Sequence, residues 1–451
     1  MTTCDLPETP VSRLLIRWLD AINGDDKDHF RAVCVELGLE RIKDLDRLMV
    51  VKEATGGFVV AAVEMSDDLH IGTIIRARKG ETYSRLIVET SASDPARISA
   101  LSSTVLPDWP IPERMTTSNT ISALVAEAGL RCAGDMFSGV VLVAKDNIVL
   151  FEKAFGLADR EAGTPVTLET SFRIASVGKM FTAVAIHQLI DAGMLSMSAT
   201  VGQLIPGYPS AEVAEKVTIW HLLSHTSGTG EIITDEYWEK RPDIREHDDY
   251  LALYGEAGLS FEPGTKFIYS NYGYVLLGII IERLTGRSYH DYIRQSIFER
   301  LGMSSTNTLP ECEDLPKRSI GYTKYGGGEW SSTTHFMPWR ATAAGGANST
   351  AGDLFRFAGG LIDGKLIKLE TLAEATRVQY PGSVYGLGFA VEEEGGVTCI
   401  GHSGGMAGMN AVVYIMPAPR IVIIAVANLD PPAATHLANF VRARLPMHEE
   451  G

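Results

Sequence analysis

Ser176 stands three residues before Lys179 in the run Arg173-Ile174-Ala175-Ser176-Val177-Gly178-Lys179, and an apolar stretch, 180–190, follows it. If a helix starts near the serine, the lysine lies one turn on and shares its face. The helix start offers free backbone N–H groups and the positive end of the dipole beside the hydroxyl. Apolar residues on nearly every side of that helix imply burial, and burial favours the neutral amine. A neutral lysine can take the proton of a serine hydroxyl, which is the chemistry of an activated nucleophile. A serine three residues before a lysine also arises by chance, so the pair needs support from elsewhere in the chain.

Two further groups of residues supply it. Tyr269-Ser270-Asn271 follows the turn Glu262-Pro263-Gly264-Thr265 and precedes an apolar helix over 274–284. A phenol near Ser176 and Lys179 can shuttle a proton, and the Asn271 amide can hold a substrate carbonyl. An asparagine capping a helix is the plainer alternative. Gly401-His402-Ser403-Gly404-Gly405 sits between two strand-like runs. Small residues there let a strand approach a ligand, and a backbone N–H can serve an oxyanion. A glycine-rich turn between strands is the plainer reading.

Two rivals use the same residues differently. The glycine-rich run also fits G-x-S-x-G, the nucleophile elbow of α/β-hydrolases, with Asp430 and His436 following in that fold's order. That elbow needs a helix after the serine, whereas 410–416 reads as a second strand and too few residues remain for the rest of such a sheet. His221 and His225, four apart, would face one metal if helical, with Glu231 and Asp235 nearby. No third ligand follows at recognisable spacing, so a structural turn is the better reading and no metal is expected.

The elements that must position these groups come from 451 residues, enough for about two or three domains at roughly 150 residues each. The chain has 45% hydrophobic and 21% charged residues, an ordinary globular balance that excludes disordered and collagen-like chains. With 40 Lys+Arg against 56 Asp+Glu, the net charge of −16 argues against electrostatic grip on nucleic acid or anionic membranes. No apolar run approaches the ~20 residues of a membrane span. The N-terminus lacks a positive lead followed by an apolar stretch, so no signal peptide is read. Five widely spaced cysteines without C-x-x-C suit free thiols in a reducing compartment, and the expected location is cytoplasmic.

Three prolines within 106–119 mark an extended connector. It divides a small α+β domain, 1–106, from a larger domain, 120–451, with 107–119 as the linker. In the small domain, Leu14, Leu15, Trp18, Leu19 and Ile22 form a helical stripe, and Asp25 or Asp26 can cap a second helix over 27–37. Strand-like runs follow at 48–53, 58–65, 70–78 and 82–89. In the larger domain, 138–144 and 148–154 flank a tight turn, and strands return at 386–392, 397–401, 410–416 and 420–427 before a final helix over 432–444. Strands at both ends with helices between them predict one antiparallel sheet carrying an inserted helical body.

The ordered set Ser176-Val177-Gly178-Lys179, Tyr269-Ser270-Asn271 and His402-Ser403-Gly404 resembles the serine β-lactamase and penicillin-binding-protein superfamily. The type is that of class C β-lactamases, D-Ala-D-Ala carboxypeptidases and the esterases of the same fold. Further phrases match: Trp220-His221-Leu222-Leu223-Ser224-His225-Thr226-Ser227-Gly228, Phe261-Glu262-Pro263-Gly264, and Gly345-Gly346 leading to Ser349-Thr350-Ala351-Gly352-Asp353-Leu354. The resemblance covers about residues 120–445. It implies an α+β class, a β-lactamase/transpeptidase-like domain in which an antiparallel sheet is flanked by helices and joined to an all-helical body.

The resemblance also implies roles. Ser176 would be the nucleophile, Lys179 its base and Tyr269 the proton relay. The backbone N–H groups of Ser176 and Gly405 would form the oxyanion hole, and Asn271, His402, Ser403 and Gly404 would bind substrate. No cofactor or metal is implied, and the partner is a small-molecule ester or amide. His402 stands where β-lactamases of this type usually carry lysine, and a largely neutral histidine weakens the fixed charge for a substrate carboxylate. Ester or amide hydrolysis is therefore expected ahead of β-lactamase or DD-carboxypeptidase activity. A non-catalytic penicillin-binding-like ligand sensor is the alternative from another functional class.

The stretch 231–256 reads as a solvated acidic face or a lid over the pocket. Tyr322, Tyr325, Trp330, Phe336 and Trp339 read as an acyl-pocket wall or as loop aromatics packed on the body. The phrase Trp18-Leu19-Asp20-Ala21-Ile22-Asn23-Gly24-Asp25 resembles the start of cone-shaped α+β domains of the nuclear-transport-factor and polyketide-cyclase type. Such domains dimerise or hold ligands, so 1–106 is read as an accessory module, with a homodimer through it as the implied assembly.

Overall fold

The computed structural model describes residues 6–41, 45–79, 82–106, 112–313, 315, 317–325 and 328–447. The chain divides into two compact units, Met1–Glu113 and Arg114–Gly451.

In the first unit, helix α1 (Pro10–Asn23) starts with proline behind Thr9, whose side chain accepts the Ser12 N–H. It buries the predicted stripe of Leu14, Leu15, Trp18, Leu19 and Ile22. Helix α2 (Lys27–Glu36) is capped by Asp26, whose carboxylate accepts from the Asp28 and His29 amides. The strand expected at 48–53 is instead helix α3 (Leu45–Thr55). A short apolar run has no decisive period, and here tertiary contact decides. Lys52 is buried, and its ammonium donates to the carbonyls of Ala21 and Ile22, at 3.3 and 2.9 Å, and to that of Gly24. Those carbonyls end α1 and lack partners within it, so a cation there satisfies both charge and geometry.

Four antiparallel strands complete this unit in the order β1 (Phe58–Ser66), β2 (His70–Ala77), β3 (Tyr83–Ser91), β4 (Asp94–Leu106). Ile71, Ile75, Leu86 and Val88 of the sheet share one core with α1 and α2. The fourth strand was hidden in the sequence by Pro95 and a run of serines that reads as loop, although Ile98 and Leu101 are buried.

The second unit opens with helix α4 (Thr117–Ala133), which takes in the end of the expected linker. Residues 107–111 of that linker lie outside the described residues. Strands β5 (Gly139–Lys145) and β6 (Ile148–Phe155) form the predicted hairpin. Asp146 and Asn147 turn it with φ of 52° and 62°, as a two-residue loop requires. The body that follows includes helices α5 (Lys179–Asp191), α6 (Asn271–Thr285) and α7 (Ala351–Ile362). The chain then returns as β7 (Ala390–Glu394), β8 (Val397–Met406), β9 (Met409–Met416), β10 (Ile421–Ala427) and helix α8 (Ala433–Arg442).

One six-stranded antiparallel sheet results, in the order β7-β8-β9-β10-β5-β6. The pairing of β10 with β5 joins the two ends of the unit, from Ile421 opposite Lys145 to Ala427 opposite Gly139. Alternation along β5 turns Val140, Leu142 and Ala144 toward the helical body and Val141 and Val143 toward α4 and α8. Full burial of each valine or leucine there contributes about 1.5–3 kcal/mol, so the two-faced sheet is a rigid platform. Helix α5 is buried on every side, with Met180, Phe181, Ala183 and Val184 all fully enclosed. Among the described residues no helix is long and apolar enough to cross a membrane, and Cys34, Cys132, Cys312 and Cys399 are free thiols.

Candidate active site

Ser176 lies in a 3-10 turn, Ala175–Gly178, that runs directly into α5. Ala175 has a left-handed φ of 45°, and its carbonyl accepts the Gly346 N–H at 3.0 Å. A non-glycine residue in that region costs on the order of 1–3 kcal/mol, so surrounding contacts hold the serine in a turn the chain would not choose alone.

Lys179 begins α5 and is fully buried. Its Nζ lies 2.5 Å from Ala344 O, 2.6 Å from Asn271 Oδ1 and 3.3 Å from Ser176 Oγ. Burial pulls its pKa down to about 7, against an opposing pull from the Glu231 carboxylate. A neutral amine has two N–H groups and one lone pair. Ala344 O and Asn271 Oδ1 can only accept, so they take the two N–H groups and the lone pair is left for the Ser176 hydroxyl, which donates to it. The Asn271 amide has a forced orientation. Its Nδ2 donates to both Glu231 oxygens at 2.9 Å, and a carboxylate cannot donate in return. Helix α6 is capped by Ser270, whose Oγ accepts the Gly273 N–H at 2.9 Å. Asn271 is therefore not the cap, and its amide is free for the site.

The Tyr269 ring sits 4.8 Å from Lys179 Nζ. Burial raises the phenol's pKa, partly offset by the Ser176 hydroxyl, so the group stays protonated at neutral pH. Its Oη is buried, lies near the Ser176 hydroxyl and makes no well-formed hydrogen bond among the described residues. Leaving such a group unpaired costs roughly 1–3 kcal/mol, which makes it a donor available to a reacting molecule.

The edge of β8 passes beside the Ser176 turn. Strand β7 pairs with β8 only as far as Gly401, so 402–406 have an open edge. Met406 and Met409 close a two-residue turn, and alternation from there directs the amides of His402, Gly404 and Met406 at β9. The amides of Ser403 and Gly405 point out at the open edge. A β-carbon on Gly404 would lie 2.4 Å from Ile174 O and 2.7 Å from Ser176 N, so only glycine lets the strand come this close. The Ser176 N–H, at a helix start, and the outward-pointing Gly405 N–H both border this close approach.

The structure corrects the expectation for His402. Its ring is buried, with Nε2 2.9 Å from Tyr385 Oη and Nδ1 2.5 Å from Ser403 O. Burial, and then the charge of Lys179, push its pKa down to about 3. It carries no positive charge at neutral pH and does not line the substrate cavity, because its side chain leaves β8 on the side of the buried aromatic cluster. Gly405 does line the cavity, Gly404 is buried against Ser176, and Ser403 is exposed. The elbow rival fails on topology: Ser403 is followed by strand β9, not a helix, and His436 bonds Glu127 at 2.9 Å. Nor do His221 and His225 face one point, since each Nδ1 accepts a different amide, that of Thr218 and that of Ser270, both at 3.1 Å.

A cavity of about 310 Å³ opens over Ser176, Tyr269 and Asn271. The stretch 231–256 supplies much of its wall through Ile232, Ile233, Tyr237 and Trp238, and the opposite side has Met337, Met406 and Met409. The acidic stretch is therefore a cover with an apolar inner surface. The loop aromatics read as cavity wall or as packing on the body do not line the cavity: Tyr322 Oη bonds Asp159 and the Arg160 amide, Trp330 bonds Asp135, Trp339 stacks on Arg245 and Tyr325 is exposed. The Phe336 side chain lies outside the described residues. Both arginines of the wall are engaged. Arg173 holds Glu311 through two bonds, and Arg340 approaches Glu246 at 3.5 Å and donates to Thr308 O. The Ala344 carbonyl is a site group that sequence reading did not single out, and Glu231 was named only beside the His221/His225 pair and at the start of the acidic stretch. The signal was adjacency: Glu231 comes three residues after the Trp220–Gly228 phrase, and Ala344 precedes Gly345-Gly346.

A serine hydroxyl held by the lone pair of a buried amine, beside an unpaired phenol and two backbone donors, is the equipment of a serine hydrolase that works by acyl transfer. The Beta-lactamase family matches residues 118–446, and the chain belongs to that family. Penicillin-binding protein 4 of Amycolatopsis lactamdurans is 33% identical over 304 residues, covering 62% of this chain and 77% of that protein. Esterase EstB of Burkholderia gladioli is 35% identical over 187 residues, 37% of this chain and 46% of the esterase. The solved structure of a D-stereospecific amidohydrolase from Streptomyces sp. superposes with a TM-score of 0.60 at 25% identity, covering 70% of this chain and 97% of that one. This chain is a serine hydrolase of the β-lactamase fold.

Proposed function

We propose that the enzyme hydrolyses ester or amide bonds of uncharged substrates through a covalent intermediate on Ser176. The observation that carries this reading is the arrangement at Lys179, whose two acceptor neighbours leave one lone pair for the serine proton. In the forward step, Ser176 Oγ attacks the carbonyl carbon as its proton passes to Lys179 Nζ. The carbonyl oxygen takes the negative charge between the Ser176 and Gly405 N–H groups. Tyr269 then gives its phenol proton to the leaving oxygen or nitrogen and is reprotonated from Lys179, which returns to the neutral amine. Water adds to the acyl-enzyme by the same groups in reverse order and frees the acid.

Charge selects among substrates. A β-lactam or a peptide ending in a carboxylate needs a cation to meet it. On the cavity wall both arginines are paired, and His402 is neutral and buried. The apolar wall suits an uncharged acyl or alcohol group instead. Similarity to an esterase and to a D-stereospecific amidohydrolase supports the same reading. A panel of p-nitrophenyl esters, D-amino-acid p-nitroanilides and a chromogenic cephalosporin tests it. Turnover of esters or anilides is expected to exceed that of the cephalosporin by at least about 10²-fold in kcat/KM, the equivalent of one missing charge-assisted contact. A cephalosporin as the best substrate would reject it.

A further inference from the structure

Tyr269 poses a positioning problem. Its Oη lies near the Ser176 hydroxyl but makes no well-formed hydrogen bond among the described residues, so the tip alone does not fix the ring. Something else must aim the phenol at the leaving group, and His225 has the contacts to do so. Its backbone carbonyl accepts the Ile268 N–H at 3.0 Å, and its Nδ1 accepts the Ser270 N–H at 3.1 Å. The residues on either side of Tyr269 are therefore both tied to one histidine. The imidazole also lies against the Tyr269 ring, with centroids 4.1 Å apart and planes tilted by 30°. On its other sides the imidazole meets Tyr385 at 4.6 Å and Tyr274 at 5.0 Å.

The backbone of His225 supports the same conclusion. It is fully buried with φ of 58°, in the left-handed region that glycine and asparagine occupy at lower cost. Its Nε2 is buried without a partner among the described residues, so that nitrogen adds nothing to stability. Burial, followed by nearby Lys179 and His402, holds the ring neutral, which keeps Nδ1 an acceptor. A residue with a strained backbone and a half-used ring is poorly suited to packing alone.

We propose that His225 is a positioning residue for Tyr269, clamping 268–270 through two bonds and stacking on the phenol so that its unpaired Oη stays aimed beside Ser176. This rests on the acyl-enzyme reading above, in which Tyr269 protonates the leaving group.

The test uses the full chain and four variants: H225N, H225F, Y269F and the double variant H225N/Y269F. Asparagine tolerates the left-handed backbone and offers Oδ1 to the Ser270 amide but supplies no ring, whereas phenylalanine supplies the ring without the acceptor. Rates are measured on ethyl butyrate, whose alkoxide needs a proton to leave, and on p-nitrophenyl butyrate, whose phenolate does not. The expected result is a loss of about 10–100-fold in kcat on the ethyl ester for each His225 variant, with KM within about threefold and a smaller loss on the p-nitrophenyl ester. In the Y269F background, H225N should cost less than about twofold more, because the group it positions is already gone. Equal losses on both esters, an undiminished cost in the Y269F background, or single variants within about twofold of wild type would each overturn the proposal. Failure of both single variants to fold, read by thermal melting, would overturn it too, by making His225 a folding element. Wild-type kcat in Y269F alone would instead remove the role of Tyr269 on which the proposal stands.

Discussion

Acylation should follow the deprotonation of Lys179, and the pH profile is the place to see it. Burial lowers the amine to about pH 7. The neutral fraction is then about one tenth at pH 6, half at pH 7 and nine tenths at pH 8, so kcat/KM for an ester should rise about tenfold from pH 6 to pH 8. The slope on the acid side should be one, for a single proton. Glu231 opposes the shift by stabilising the ammonium. Glu231→Gln removes that charge while keeping an acceptor for Asn271, so the acid limb should move to lower pH. Glu231 is exposed, and high salt should shrink this displacement while leaving the burial effect in place. The assay is the initial rate of p-nitrophenyl acetate hydrolysis from pH 5 to 9 at constant ionic strength, corrected for the spontaneous reaction. A flat profile, a limb centred near the free-lysine value of about 10.4, or a Glu231→Gln limb displaced to higher pH would refute the assignment of Lys179 as the neutral base.

Other consequences are open to direct test. Lys179→Met should abolish activity and alter the pH dependence of stability. Because the folded pKa of about 7 lies below the unfolded value of 10.5, the wild-type fold gains stability as pH rises between them. Urea titrations should show wild type gaining about 2 kcal/mol relative to Lys179→Met from pH 7 to pH 9, and parallel curves would contradict the burial argument. Gly404→Ala brings a β-carbon to 2.7 Å from Ser176 N. It should displace the Gly405 donor and lower kcat by about 10²-fold, and the clash with backbone atoms should lower the melting temperature as well. Trp238→Ala opens the apolar wall and should raise KM severalfold for hexanoate esters while leaving acetate esters unchanged. Equal effects on both would mean that Trp238 does not contact the acyl chain.

Much of the site was legible because its groups are close in sequence to their supports. Ser176 and Lys179 lie one helical turn apart, Asn271 follows Tyr269 by two residues, and the glycines of 401–405 announce a close approach of backbone. The reading failed where a side chain's direction depends on distant residues. His402 follows the strand alternation that buries its ring, but its partner Tyr385 comes from another segment, and nothing local says that the ring turns away from the cavity. Glu231 was hidden among acids that face water, although the Asn271 amide, forty positions away, makes it part of the site. The helix at 45–55 went unread for the same reason: Lys52 is explained only by the carbonyls that end α1. In the aromatic loop 322–339, composition left cavity wall and packing on the body equally open. Tyr322 and Trp330 spend their polar atoms on Asp159 and Asp135, and the inner face of 231–256 supplies the wall.

Intact-protein and peptide mass spectrometry after a brief reaction with an alkyl fluorophosphonate measures the nucleophile itself. One adduct per chain, carried by the peptide containing Ser176 and missing in Ser176→Ala, is the predicted result. An adduct on Ser403, or continued ester turnover by Ser176→Ala, would contradict it.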